Sequence, residues 1–279
     1  MNLWEAAFLG FVQGLTEFLP VSSSGHLALF QHLFGMSEPN LFFDISVHIG
    51  TLFSVLLYFR RDLYNLVIDV LAGVVELLQG HRWSDITFKN PQMKFFVLVF
   101  IASIPTGLIG IYLKDFFEGL FSSLLAVGFG FWITTLFVWS TQWARNTDKK
   151  LDQMNAFQAL TIGTFQGIAI APGVSRAGST IASALFCGID RELAARFSFI
   201  MSIPAILAAM LFELKDMAKG GHPLPPMGPV ILGTVIAGVV GYLAIRFLIR
   251  VLTHGHFHRF AYYTLFIGAV TLFVSLFIK

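Results

Sequence analysis

Gln13-Gly14-Leu15-Thr16-Glu17-Phe18-Leu19-Pro20-Val21-Ser22-Ser23-Ser24-Gly25-His26 interrupts an otherwise apolar stretch over residues 3–34. A second apolar stretch, 156–187, is interrupted in the same way by Pro172-Gly173-Val174-Ser175-Arg176-Ala177-Gly178-Ser179-Thr180. Proline lacks the amide hydrogen a helix needs and crowds the preceding turn, so it ends the helix before it. Each stretch therefore reads as two half-length helices joined by a loop. Non-helical backbone survives at membrane depth only where protein or a water-filled cavity surrounds it. The two stretches are expected to be re-entrant helical hairpins packed inside a bundle.

The rest of the chain supplies that bundle. Of 279 residues, 56% are hydrophobic and 12% charged, against about 45–50% and about 25% in soluble domains. The mean hydropathy is +0.75, and phenylalanine alone contributes 31 residues. These values exclude an ordinary soluble protein and a disordered one. At ~20 residues per span the chain has room for about ten spans at most, which makes one bundle and not a string of domains. Six stretches are long and apolar enough to cross: 41–59, 93–113, 120–143, 196–214, 228–250 and 260–278. Segment 63–80 carries Asp69 and Glu76 opposite an apolar face and reads as an interfacial amphipathic helix. A net charge of +2 is too mild to suggest nucleic acid as a partner. The single cysteine, Cys187, cannot close an internal disulfide. The start, Met1-Asn2-Leu3-Trp4-Glu5, lacks the basic region of a signal peptide, so the first apolar stretch is expected in the mature protein.

Basic residues set the expected orientation. With 60–92 on the cytoplasmic side, that side collects Arg60, Arg61, Arg82, Lys89, Lys94, Arg145, Lys149, Lys150, Arg191, Arg196, Arg246, Arg250 and Arg259. The other side receives Lys114, Lys215, Lys219 and Lys279. The division is 13 to 4, and Arg176 in the second hairpin completes the 18. Both termini are then expected outside the cytoplasm. The chain also matches itself at an offset of 153: Gly10 with Gly163, Gln13 with Gln166, Gly14 with Gly167, Val21 with Val174, Ser22 with Ser175, Gly25 with Gly178. The halves, about 1–143 and 156–279, each hold one hairpin and three spans, an odd number, so the second must be inverted. The expected fold is a single all-α integral membrane domain: six transmembrane helices plus two re-entrant hairpins in an inverted repeat. Such repeats place a site near the midplane, where the broken helices meet.

Gln13 and Glu17, four apart, share one helix face. A carboxylate in the membrane is costly and needs a function or a partner. In the second break Ser175 is a good N-cap, and the helix after it points its dipole and free amides into the break. With the guanidinium of Arg176 and the nearby hydroxyls this suits an anion, phosphate above all. It is not a P-loop, since the Gly-Lys-[Ser/Thr] ending is missing. Plainer readings exist for each residue: a Glu17–Arg176 ion pair locking the hairpins, His26 as a core histidine, Ser23 as a turn residue. The combination of carboxylate, serine, imidazole and phosphate clamp is nonetheless a phosphoryl-transfer inventory. The tract His254-Gly255-His256-Phe257-His258 is expected to be a cytoplasmic turn and not a metal site.

The two breaks together resemble the two signature motifs of the bacterial undecaprenyl-diphosphatases, the bacitracin-resistance protein family. The likeness covers the whole chain, with the motifs about 160 residues apart. It implies an inner-membrane enzyme that removes the terminal phosphate of undecaprenyl diphosphate, a polyprenyl lipid, and so recycles a carrier for cell-wall synthesis. It implies catalytic roles for Glu17, Ser23, His26 and Arg176, with Ser23, His26 or water as nucleophile. Gln13, Ser22, Ser24, Ser175, Ser179 and Thr180 are expected to bind substrate. Glu17 and Gln13 are expected to ligate a divalent cation, Mg2+ or Ca2+. Two positions depart from the family pattern: Gln13 stands where many members have Glu, and Ala177 where Ser is usual. Gly128, Gly130, Gly233, Gly238 and Gly241 permit close helix packing within one chain or between two, so a homodimer is compatible with the sequence. A transporter of a phosphate-bearing lipid is the rival class, because inverted repeats with broken helices also build transporters.

Overall fold

The structure is a computed structural model that describes residues 1–36, 41–80, 90–220 and 226–277. Among them the protein is all-α, as expected for a membrane bundle, with only an isolated bridge between Lys149 and Ile189. The first hairpin is α1 (Leu3–Phe18) and α2 (Ser23–Leu33). α3 (Leu41–Tyr58) and α4 (Arg60–Leu78) follow, bent by 75° at their junction. Then come α5 (Pro91–Tyr112), the short α6 (Lys114–Phe121) and α7 (Leu124–Ser140). The second hairpin is α8 (Ala156–Ile168) and α9 (Arg176–Phe186), and α10 (Arg191–Gly220), α11 (Met227–Thr253) and α12 (Phe260–Phe277) complete the chain. Five helical segments are long and apolar enough to cross a membrane, and the bent α3–α4 pair makes a sixth candidate.

Several boundaries differ from expectation for local reasons. The span expected at 120–143 starts at Leu124, because the Ser123 side chain accepts from Ala126 N and starts a new helix there. The preceding residues form α6, which the apolar pattern hides. The span expected at 196–214 extends through α10, with Pro204 inside it. α4 begins at Arg60 and buries only Leu66 and Gly73, leaving Val67, Ile68, Leu71 and Val75 exposed, in keeping with a helix lying against lipid. Arg82, Lys89, Lys279 and the last residue of the span expected at 260–278 lie outside the described residues, as does the side chain of Lys219.

Two crossings hold the hairpins in place. α1 packs along α11, and α8 along α5. At the first crossing Gly10 lies so close to Gly233 that a Cβ would strike its backbone. At the second, Gly163 lies closer still to the backbone of Ala102. Gly10 and Gly163 are the pair matched at offset 153, so the same glycine serves the same close approach twice. The glycines that left packing open are used within the chain: Gly130 against Pro172 and Gly173, and Gly128 against Leu272. Exposed Phe100, Leu108, Leu136, Leu243 and Phe266 cover the outer faces of the spans.

Candidate active site

The first break turns after Phe18, with Leu19 extended, and α2 starts at Ser23. Ser22 is its N-cap, with its hydroxyl 3.3 Å from Gly25 N and a backbone φ of 65°. That is the left-handed region, uncommon for a residue with a side chain. In the second break Gly173 takes the positive φ, 81°, and Ser175 caps α9 by accepting from Gly178 N at 3.0 Å. Thr134 of α7 fixes this turn: its hydroxyl donates to Gly173 O at 2.9 Å and accepts from Ser175 N at 2.8 Å.

The two breaks meet at Glu17, which is buried. Arg176 Nη2 donates to Glu17 Oε1 at 2.7 Å. Glu17 Oε2 accepts from Ser23 Oγ at 2.5 Å and from Gln13 Nε2 at 3.0 Å. His48 Nε2 of α3 stands 3.7 Å from the same oxygen. His48 Nδ1 lies 2.7 Å from Asp44 O, a carbonyl that can only accept, so Nδ1 carries the hydrogen. One carboxylate thus binds a guanidinium, a serine hydroxyl and an amide. Arg176 Nη1 is buried with no hydrogen-bond partner among the described residues, which leaves donor capacity for an anion.

These groups form the polar end of a cavity of about 530 Å³. Glu17, Ser22, Ser23, Ser24, His48, Ser175 and Arg176 line that end, and the rest is mainly apolar, with Gly107, Gly110, Ile170, Ala205, Ala209 and Phe212. His26 is not brought to the cavity. Its Nδ1 donates to Ser22 O at 2.7 Å and its Nε2 accepts from Tyr263 Oη at 2.7 Å, so it braces the loop from behind. Ser179 and Thr180 also turn away from it. Ser179 Oγ donates to Ser175 O at 2.7 Å, and Thr180 Oγ1 pairs with Arg176 O at 2.8 Å and Ser198 Oγ at 2.6 Å. Gln13 is fully buried beside Glu17 and does not line the cavity.

Sequence reasoning missed His48 and Gln166. His48 had a signal, since an ionisable residue inside an apolar span is a functional candidate by default. Gln166 had one too, since it matches Gln13 at the offset of 153. The His254–His258 tract is a turn: α11 ends at Thr253, Gly255 takes a φ of 80°, and a short 3-10 turn spans Phe257–Arg259. The charge of Arg259 lowers the pKa of exposed His256, as befits a basic turn.

Glu17, one of the two residues expected to ligate a divalent cation, is engaged with Arg176, Ser23 and Gln13. Ca2+ takes six to eight oxygen ligands, whereas Mg2+ is usually held by one or two carboxylates together with waters and substrate phosphates. Among the described residues Glu17 is the carboxylate that lines the cavity, it is paired with Arg176, and no group of three or more His, Cys, Asp or Glu side chains is found.

A helical membrane protein with an anion-ready polar pocket at the end of a largely apolar cavity is the class that fold and site define. Within that class, residues 6–270 match the family described as Bacitracin resistance protein BacA, and the chain belongs to that family. It is 42% identical to a protein named undecaprenyl-diphosphatase from Alkaliphilus metalliredigens, over 99% of this chain and 100% of the relative. It is 41% identical to one of that name from Desulforapulum autotrophicum, over 98% of each chain. A third, from Desulfosudis oleivorans, is 43% identical, again over 98% of each.

Proposed function

We propose that the protein hydrolyses undecaprenyl diphosphate to undecaprenyl phosphate and inorganic phosphate, returning the lipid carrier to cell-wall synthesis and conferring bacitracin resistance. Family membership and full-length relatives of that name support the reaction. The observation that carries the chemistry is the Ser23 hydroxyl donating to Glu17 Oε2 at 2.5 Å, with Arg176 on Oε1, at the polar end of an apolar cavity. The diphosphate sits at that end and the first prenyl units occupy the apolar part.

In this reading Glu17 takes the Ser23 proton as Oγ attacks the terminal phosphorus. The bond from that phosphorus to the bridging oxygen breaks, and undecaprenyl phosphate leaves. Arg176 Nη1 and the N-terminal dipole of α9 hold the charge that builds on the phosphoryl oxygens. Water then attacks the phosphoserine, and Glu17 returns its proton to Ser23 Oγ. His26 fits a bracing role better than that of nucleophile, since both ring nitrogens are engaged away from the cavity. A cation that arrives on the diphosphate belongs to the substrate. The deciding experiment is rapid quench of the purified protein, mixed in detergent with substrate labelled on the terminal phosphate, into denaturing detergent at near-neutral pH, which preserves phosphohistidine as well as phosphoserine, followed by mapping of the phosphoenzyme. Label on Ser23 is expected, and label on His26 or on neither residue overturns the mechanism. Phosphate release in detergent also separates hydrolysis from transport, which needs a sealed membrane.

The same reading places the chain in the bacterial inner membrane with both termini on the outer side and the halves 1–143 and 156–279 inverted. The 13-to-4 basic bias and the paired glycine crossings support it. In a Cys187→Ser background, Asp115→Cys should be labelled from outside intact cells and Asp148→Cys spared. Equal labelling of both would refute the orientation.

A further inference from the structure

Gln166 of α8 is 2% exposed and lines the cavity. Its Nε2 lies 3.3 Å from Thr106 Oγ1. The orientation of this amide follows from what surrounds the threonine. Thr106 Oγ1 is 2.8 Å from Gly163 O and 3.3 Å from Ala102 O. Both are carbonyls and can only accept, so the single hydroxyl hydrogen is committed to them. The threonine oxygen can then only accept from Gln166, and the group facing it must be the amide nitrogen. The other end of the amide, Oε1, is buried with no partner among the described residues. A buried carbonyl left unpaired is unfavourable, and such groups are ordinarily matched by a donor.

The occupant of the cavity narrows what that donor is. Ionised phosphate oxygens are acceptors and cannot satisfy a carbonyl. The protein donors at the polar end, Arg176 and the serine hydroxyls, suit the phosphate itself. The remaining donor that the hydrolysis requires is water. We infer that Gln166, through Oε1, positions the water that the reaction consumes. The inference rests on the two-step reading above. In the second step the water oxygen attacks phosphorus of the Ser23 phosphoester and the bond from phosphorus to Ser23 Oγ breaks. Both water hydrogens leave on inorganic phosphate, and the proton held by Glu17 returns to Oγ. Gln166 accepts a hydrogen bond from the water and transfers no proton, so it is a positioning residue, and Thr106 is the latch that aims it.

Gln166→Met keeps the length and removes both polar ends. Thr106→Val leaves the glutamine and removes only its latch. Purified variants are mixed rapidly with undecaprenyl diphosphate, and undecaprenyl phosphate and inorganic phosphate are followed separately. In Gln166→Met a burst of undecaprenyl phosphate close to one per enzyme is expected at the wild-type rate, followed by steady-state turnover slowed ~10–100-fold, with phosphoserine accumulating. Thr106→Val should show a smaller slowing of the same step. With methanol present, the share of methyl phosphate over inorganic phosphate should rise in Gln166→Met, because methanol does not depend on the lost water contact. A burst and a steady state slowed equally, an unchanged methanol share, or turnover within threefold of wild type would each overturn the inference. Phosphoserine absent from wild type and variants alike overturns the Ser23 mechanism instead, and the methanol share then judges Gln166 by itself.

Discussion

The two breaks lie at matched places in the sequence, 153 residues apart, yet solve the same problem differently. Both use a serine as the N-cap of the returning helix, Ser22 and Ser175, matched at offset 153. In the second break the capping serine is extended, with φ of −75°, and the turn is made by Gly173. In the first, Ser22 itself takes φ of 65°. A side chain held in the left-handed region costs about 1–3 kcal/mol and persists where the surroundings impose it. Here the strained residue directly precedes Ser23, whose hydroxyl meets Glu17. The difference separates a relaxed break that delivers a fixed cation from a strained one that aims a nucleophile.

The sharpest way to break this comparison is to remove the pair that joins the two sides. Arg176→Ala should lower turnover ~100-fold or more, the scale seen when a charge-stabilising donor is lost. Arg176→Lys should rescue poorly, since an ammonium cannot reach Glu17 and a phosphate with a planar fork. Glu17→Gln should be comparably inactive. If the pair were only a lock, removing one partner would destabilise by roughly 3–5 kcal/mol and the double variant Glu17→Gln/Arg176→Gln would recover most of that along with activity. Recovery of thermal stability without turnover is expected. Recovered turnover would reduce both residues to a structural bolt.

Gln13 tests the first break alone. The family pattern suggests that Gln13→Glu is harmless, but Gln13 Nε2 donates to Glu17 Oε2 at 3.0 Å. A second carboxylate would lose that donor and face a like charge, which disfavours ionising both. Activity of Gln13→Glu should fall ~10-fold at low Mg2+ and return as Mg2+ rises, with a steeper cation dependence than wild type. A flat Mg2+ response in the variant would show that the amide at this position is dispensable. On the far side of the same loop, Tyr263→Phe removes the hydrogen bond to His26 Nε2 and should cost ~3–5-fold in turnover, in line with one neutral hydrogen bond. A loss as large as that of Arg176→Ala would return His26 to the chemistry.

Much of this was legible in the sequence because membranes constrain it so strongly. Proline, glycine and serine inside apolar stretches marked both breaks, and opposite charges at Glu17 and Arg176 foretold their meeting. What the sequence left undecided was which way a polar side chain faces. Ser179 and Thr180 looked like phosphate ligands, but helical hydroxyls can bond the carbonyl one turn back, and these two do. His26 sits three residues from Ser23, close to a full turn, yet Tyr263, 237 residues away, draws its ring out of the cavity. Gln166 and His48 enter the cavity only because α8 crosses α5 and α3 flanks α1, contacts between remote segments that no local pattern encodes.

The smallest effect bears most directly on strain. Ser22→Gly removes a side chain from a conformation that glycine adopts freely, which favours the folded state. It also gives up the hydroxyl cap, which glycine replaces at a loss of a few tenths of a kcal/mol, and it adds freedom to the unfolded chain. These contributions nearly cancel, so thermal stability in detergent should stay within about 1 kcal/mol of wild type or rise. Ser175→Gly has no strained φ to relieve, because that serine is already extended. It should lose about 1 kcal/mol through added chain freedom and a weaker cap. Turnover should show the reverse ranking within the first break: Ser22→Gly, though stable, should slow the Ser23 burst ~2–3-fold, because a looser backbone holds the hydroxyl less firmly on Glu17. If the two glycine variants lose stability equally, the positive φ at Ser22 carries no strain. If Ser22→Gly gains stability with an unchanged burst, the strain is real but does not aim Ser23.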